Sequence, residues 1–198
     1  MKPNVNITAT RNGTRIVTGL VRGAFVNLFV AKPNPSGALK YGMTLLIEKD
    51  DPMLPLMKQA AQQAAVEKWA DKIPGKLNNP FRDGDEKTEY LGFAGKTFVA
   101  ANSDNAPGVV NALNKPATPE ECYSGAWYRV ELNAFAYQKA GNQGVTFGLQ
   151  NVQKLGDDEA FTGRKPADQV FGAVINPDVP ASFSQDKAVD ADLTSLFA

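Results

Sequence analysis

Histidine is absent from all 198 residues, and cysteine occurs once, at Cys122. Without histidine there is no Ser-His-Asp or Cys-His nucleophile, no imidazole metal ligand, and none of the commonest general base near neutral pH. One cysteine forms neither an internal disulfide nor a cysteine-cluster zinc site. Any catalysis would have to run through carboxylates or lysine, and no cofactor or metal site is expected. No stretch approaches the roughly 18 to 20 apolar residues that span a bilayer. The opening Met1-Lys2-Pro3-Asn4-Val5-Asn6 lacks the apolar core of a secretory signal. A cytoplasmic setting without a membrane partner is the expectation.

Acid is missing from residues 1–47, which carry Lys2, Arg11, Arg15, Arg22, Lys32 and Lys40; the first carboxylate is Glu48. The zero net charge is therefore a sum of opposed parts. Residues 1–154 hold 18 Lys and Arg against 13 Asp and Glu, whereas residues 155–198 hold three against eight. A basic body followed by an acidic end points to a polyanionic partner and a charged tail.

Strand-forming residues dominate what is present. Arg15 to Ala31 is rich in Val, Phe and Leu, with a mostly apolar even face from Ile16 to Val30; Gly19 and Gly23 mark a bulge or bend. After the turn at residues 32–37, Leu39 to Glu48 alternates through Tyr41, Met43, Leu45 and Ile47. Asp51-Pro52 opens a helix that Pro74-Gly75 stops. Residues 76–95 read as a long polar loop, Lys96 to Ala101 as a third strand, and residues 102–121 as a connection with a helical turn near Val109 to Leu113. Ala126 to Gln138 and Val145 to Leu155 form a hairpin around Lys139–Gly144. From Gly156 onward no periodicity persists, the mark of a segment too polar to order itself. Five strand signals and one inserted helix fit a mainly β, five-stranded Greek-key barrel of the oligonucleotide-binding type, over residues 1–160, with a flexible acidic tail over 161–198. A β-sandwich is the structural rival.

The strand from residue 126 is the most informative about chemistry. Tyr128, Val130, Leu132, Ala134 and Ala136 form a core face, leaving Trp127, Arg129, Glu131, Asn133, Phe135, Tyr137 and Lys139 on the other. Rings interleaved with cations suit single-stranded nucleic acid, since bases stack on rings and cations follow phosphates. The same residues, Phe135 and Tyr137 above all, could instead be satellite core beneath a loop. Lys40, Tyr41, Lys96 and Phe98 are candidates to extend the platform, with Arg15, Arg22 and Lys32 as phosphate contacts. Phe81, Arg82, Lys87, Tyr90 and Phe93 suit the loop over residues 79–93 either to clamp a strand or to lie solvated, anchored by its aromatics. Two motif near-misses carry nothing. Gly95-Lys96-Thr97 lacks the first glycine of a phosphate loop, where Tyr90 stands, and Asp83-Gly84-Asp85 opens like a calcium loop but has Thr88 where glycine is required. At the C-terminal end, Asp190 and Asp192 precede Leu193, Leu196 and Phe197, acids to steer an encounter and apolar groups to fill a partner's pocket.

Residues Gly125 to Arg164 (GAWYRVELNAFAYQKAGNQGVTFGLQNVQKLGDDEAFTGR) resemble the C-terminal strand pair of phage single-stranded DNA-binding proteins. The acidic, aromatic-ending tail is similar to those by which such proteins recruit replication partners. One departure is Ala198, which follows Phe197 and removes a terminal phenylalanine carboxylate. The resemblance implies binding of single-stranded DNA without catalysis or sequence reading, in the cytoplasm of an infected host cell. It also implies replication or recombination proteins as tail partners, with the chain a monomer or a dimer. A carboxylate-dependent nuclease and a phage assembly β-protein are the alternatives.

Overall fold

Alternation of apolar and polar residues lets a strand bury one side and expose the other. The computed structural model, which describes residues 2–34, 37–139 and 141–161, shows such strands hydrogen-bonded around a shared interior. They are β1 (Thr10–Asn12), β2 (Arg15–Val17), β3 (Val21–Pro33), β4 (Leu39–Glu48), β5 (Arg82–Asp83), β6 (Lys96–Ser103), β7 (Gly108–Val110), β8 (Trp127–Lys139) and β9 (Asn142–Gly156), with helix α1 (Met53–Trp69) between β4 and β5. Antiparallel pairs join β8 to β3, β3 to β4, β4 to β6 and β9 to β8, and a parallel pair joins β6 to β9. These five strands close a ring with the oligonucleotide-binding connectivity, as expected, and the helix sits between its second and third strands.

The core lies inside the ring. Tyr128, Val130, Leu132, Phe147, Leu149, Leu45, Ile47 and Val99 are essentially inaccessible, and α1 adds Met57, Ala60 and Ala64 from one stripe. Asp51 starts that helix by accepting from the Met53 amide (2.8 Å). The helix packs mainly on β8, β9, β1 and β2.

Three local expectations change. The long strand from Arg15 is interrupted at Thr18–Leu20, where buried Thr18 turns to β8: its Oγ1 accepts from the Val130 amide (2.9 Å) and its own amide donates to the Val130 carbonyl (2.9 Å). The even-face alternation does not survive this turn, so Ile16 and Thr18 are buried before it and Val21 and Gly23 after it. Gly23 is required for close approach, because a Cβ there would strike the Tyr128 ring and Met43. The helical turn anticipated near Val109 is instead β7, which pairs in parallel with β9. The long loop contains β5 and a 3₁₀ turn over Gly84–Lys87.

Outside the ring lies a second apolar cluster of Ala24, Leu46, Phe93 and Phe98, with Phe161 packed against it. It forms because the 84–95 segment folds over β4 and β6. That segment is pinned by Lys49, whose ammonium lies 2.8 Å from Asp83 and 2.6 Å from Asp85. The carboxylates of the calcium-loop near-miss are thus engaged by a lysine.

Candidate nucleic-acid interface

The sequence-predicted residues divide between two outward surfaces of the ring. One is the outer side of β8 and β9. There Arg15 pairs with Glu131 (3.2 Å), Asn151 donates to the same carboxylate (2.7 Å), and Arg129 donates through Nε to the Thr18 carbonyl (3.3 Å). Tyr137 accepts from the Asn78 amide (3.1 Å), Lys139 is exposed near the hairpin turn, and Phe135 is 45 % exposed. Most of the polar groups in this row already have protein partners.

The other surface is the outward side of β3, β4 and β6. Cross-strand register sets Lys32 beside Lys40, Ala24 beside Thr44 and Thr44 beside Ala100, with Asn27, Gly42 and Asn102 in one row. Lys40 contacts the exposed Asp104 (2.5 Å), whereas Lys32 forms no ion pair among the described residues. A cavity of about 190 Å³ opens there, lined by Phe25, Asn27, Lys32, Lys40, Thr44 and Asn102 among others. Gly42 lets Asn102 lie close against β4, since a Cβ at that position would collide with the Asn102 side chain. At the far end, Lys96 contacts Glu48 (2.5 Å) across the β4–β6 pair.

Three candidates on or beside this face are occupied. Phe98 is only 7 % exposed, with Phe93 against its edge (5.1 Å between centroids) and the Arg82 guanidinium over its ring (4.9 Å). Arg22 lies between the rings of Trp127 (5.3 Å) and Phe161 (4.6 Å), donates to the carbonyls of Gly125 (2.7 Å) and Glu159 (2.8 Å), and meets Asp158 at 3.5 Å. Trp127 donates its indole N–H to Asp158 (2.8 Å), with Lys2 over its ring (5.7 Å). Tyr41 shares the parity of Met43 and Leu45, so it leaves the β4 face that carries Lys40. The single platform expected from β8 through Lys40 and Phe98 is thus two separate surfaces. Asp190, Asp192, Leu193, Leu196 and Phe197 lie outside the described residues.

Sequence reading passed over Phe25. Its backbone has φ of 49°, and its ring is 50 % exposed on the β3–β4–β6 side. Tyr90, noted only as part of a possible clamp, meets it edge-on (5.2 Å, 84°). The sequence signal was Gly23 within a β-rich run, which marks a bulge without saying which residue it turns outward.

Lys49 also sets the local electrostatics at the rim. Its hydrogen bonds to Asp83 and Asp85 hold both carboxyls below their ordinary value and raise its own ammonium.

Comparison with known proteins adds an independent line. Residues 14–182 match the model of a family described as the ssDNA-binding protein of Enterobacter phage Enc34. A putative protein p50 of Acyrthosiphon pisum secondary endosymbiont phage 1 is 33 % identical over 156 residues, covering 72 % of this chain and 84 % of that protein. The solved single-stranded DNA-binding protein from bacteriophage Enc34 in complex with ssDNA superposes with a TM-score of 0.65 at 20 % identity, over 78 % of this chain and 98 % of that one. The single-stranded DNA-binding protein gp2.5 of bacteriophage T7 gives a TM-score of 0.55 at 16 % identity, over 88 % and 100 %. At those identities the two structures speak for the fold.

Proposed function

This chain belongs to the family of the single-stranded DNA-binding protein of Enterobacter phage Enc34, and on that footing we propose that it binds single-stranded DNA without reading sequence, along the outward face of β3, β4 and β6. The observation that carries this reading is the basic, cavity-bearing row around Lys32 and Lys40, where one lysine has no carboxylate partner among the described residues. Phosphates need free cations, and the β8–β9 surface has committed its arginines to Glu131 and Thr18. The role is binding rather than catalysis, in phage DNA replication or recombination within the host cytoplasm. The test is titration with single- and double-stranded oligonucleotides across salt concentrations. The logarithm of the binding constant falls with log salt at about −0.7 per phosphate neutralised; a flat profile rejects the reading.

The domain occupies residues 1–160 and the acidic tail 161–198, and the tail both recruits replication proteins and competes with DNA. Its charge supports this: three basic against five acidic residues over 161–198. So does its point of departure, since Phe161, the last described residue, packs over Gly92 beside this face. A tethered acidic segment competes at an effective concentration on the order of millimolar. Deleting residues from Pro177 onward is expected to tighten DNA binding severalfold at low salt, with the gain shrinking as salt is added. Equal affinities at low salt would leave the tail without a competing role.

A further inference from the structure

The geometry points to Phe25 and Tyr90 as the base-stacking site of this face, a cleft for one nucleobase of a single-stranded polynucleotide; the inference rests on the DNA-binding reading above. Between the pairs Ala24–Thr44 and Asn27–Gly42, β3 contains two residues and β4 one. This is a β-bulge, and Phe25 is its turned-out residue. A left-handed backbone at an aromatic residue is unfavourable and persists only where its surroundings over-determine it. Those surroundings are visible. The Val26 amide donates to Ser124 Oγ (3.2 Å), and the Asn27 side-chain amide donates to the Phe25 carbonyl (2.9 Å). Gly125 and Gly23 bond through the backbone (2.7 Å). All this holds a ring that stays half in water, so core packing does not explain it.

Phe25 separates two cavities. On one side lies an apolar space of about 260 Å³ bounded by Ala24, Tyr90, Leu91, Phe93 and Phe161. On the other lies the cavity that carries the cations and amides, Lys32, Lys40, Asn27 and Asn102, beside Pro33 and Met43. A nucleotide has the same division, an apolar ring face joined to a phosphate. Because the two rings stand nearly perpendicular (84°), a base stacked face-on on one meets the other with its edge, and its backbone can run on toward the two lysines that line the neighbouring cavity. Tyr90 is 43 % exposed and Leu91 59 %, and Phe93 supports them from below, 5.6 Å from Tyr90. Recognition through a π-face accepts every base, in keeping with binding that does not read sequence.

The experiment uses the full chain and a fluorescein-labelled dT oligonucleotide of about 20 nucleotides, enough to pass over one oligonucleotide-binding domain. Phe25→Gly removes the ring and relieves the backbone. It is expected to weaken binding by about 5- to 150-fold, the equivalent of roughly 1–3 kcal/mol for one stacked base, while Tm stays level or rises. A residue that merely supported the fold would lower Tm instead. In parallel, an oligonucleotide carrying 5-iododeoxyuridine is photocrosslinked to the unaltered protein and the linked peptide is mapped. Linkage at Phe25 or Tyr90 is expected, and this arm does not depend on any variant folding. Wild-type affinity in Phe25→Gly, or crosslinks confined to Phe135 and Tyr137, overturns the cleft while leaving DNA binding intact. Failure of the unaltered protein to bind dT at all overturns the function itself.

Discussion

On β8 the outward side chains Arg129, Glu131 and Asn133 meet the Thr18 carbonyl, Arg15 with Asn151, and the Thr14 hydroxyl in turn. On the β3–β4 hairpin, Lys32 stands opposite Lys40, and Lys40 meets one exposed carboxylate, Asp104. Both surfaces combine rings with cations, and both are outward by strand alternation. They differ in which cations are engaged: among the described residues, Arg15 and Arg129 on the β8 side have protein partners and the exposed Lys139 has no ion pair, while on the hairpin Lys40 meets Asp104 and Lys32 has no ion pair. A cation with a protein partner must break that contact before it serves a phosphate, while one without a partner loses only water. Availability, more than composition, decides which cations of either surface can serve a phosphate.

Both faces rest on the same interior, so the largest expected effect lies there. Phe147→Ala, at an inaccessible ring against Phe81 (5.8 Å), is expected to cost about 3–5 kcal/mol of stability, read by urea denaturation. A cost under about 1 kcal/mol would mean that the β8–β9 wall does not close the core as described.

The next effect separates the faces directly. Replacing Lys32 and Lys40 by glutamine is expected to weaken single-strand binding by about tenfold near physiological salt and to reduce the salt slope by about 1.4, two phosphates' worth. Arg15→Gln with Arg129→Gln, or Phe135→Ala, should change affinity less than about twofold if the protein stays folded. The reverse ranking in a salt-dependent titration would return the interface to β8.

The smallest effect concerns the rim. Asp83 and Asp85 titrate below their ordinary range because Lys49 bonds to their charged forms. Their contribution is therefore complete above the ordinary carboxylate value of about 4 and is lost as pH falls through the lowered folded values. Gly95 donates its amide to Asp85 Oδ1 (2.5 Å) and reports the change. Its NMR shift should titrate below about pH 4 in the unaltered chain, and Lys49→Met should move the midpoint upward. An unmoved midpoint would remove Lys49 as the pin of the 84–95 segment, which carries Tyr90 to the cleft.

Residue pattern was enough for the strands of the β8–β9 hairpin, the inserted helix, the inward row Tyr128–Val130–Leu132 and the mainly β class. Each depends on periodicity within one segment, which burial on one side imposes directly. The family resemblance carried by Gly125 to Arg164 likewise agrees with the family that residues 14–182 match. Which side of the ring an outward residue joins is another matter. Period-two alternation distinguishes in from out, but Lys40 and Phe135 are both outward on surfaces that only strand order and ring closure keep apart. The fates of Phe98 and Trp127, covered by residues 82–93 and 158–161, depended on contacts distant in sequence. Phe25 depended on a bulge whose extra residue is defined by pairing with β4. Local chemistry selected the elements, and long-range pairing decided which of their rings and charges remained open to a ligand.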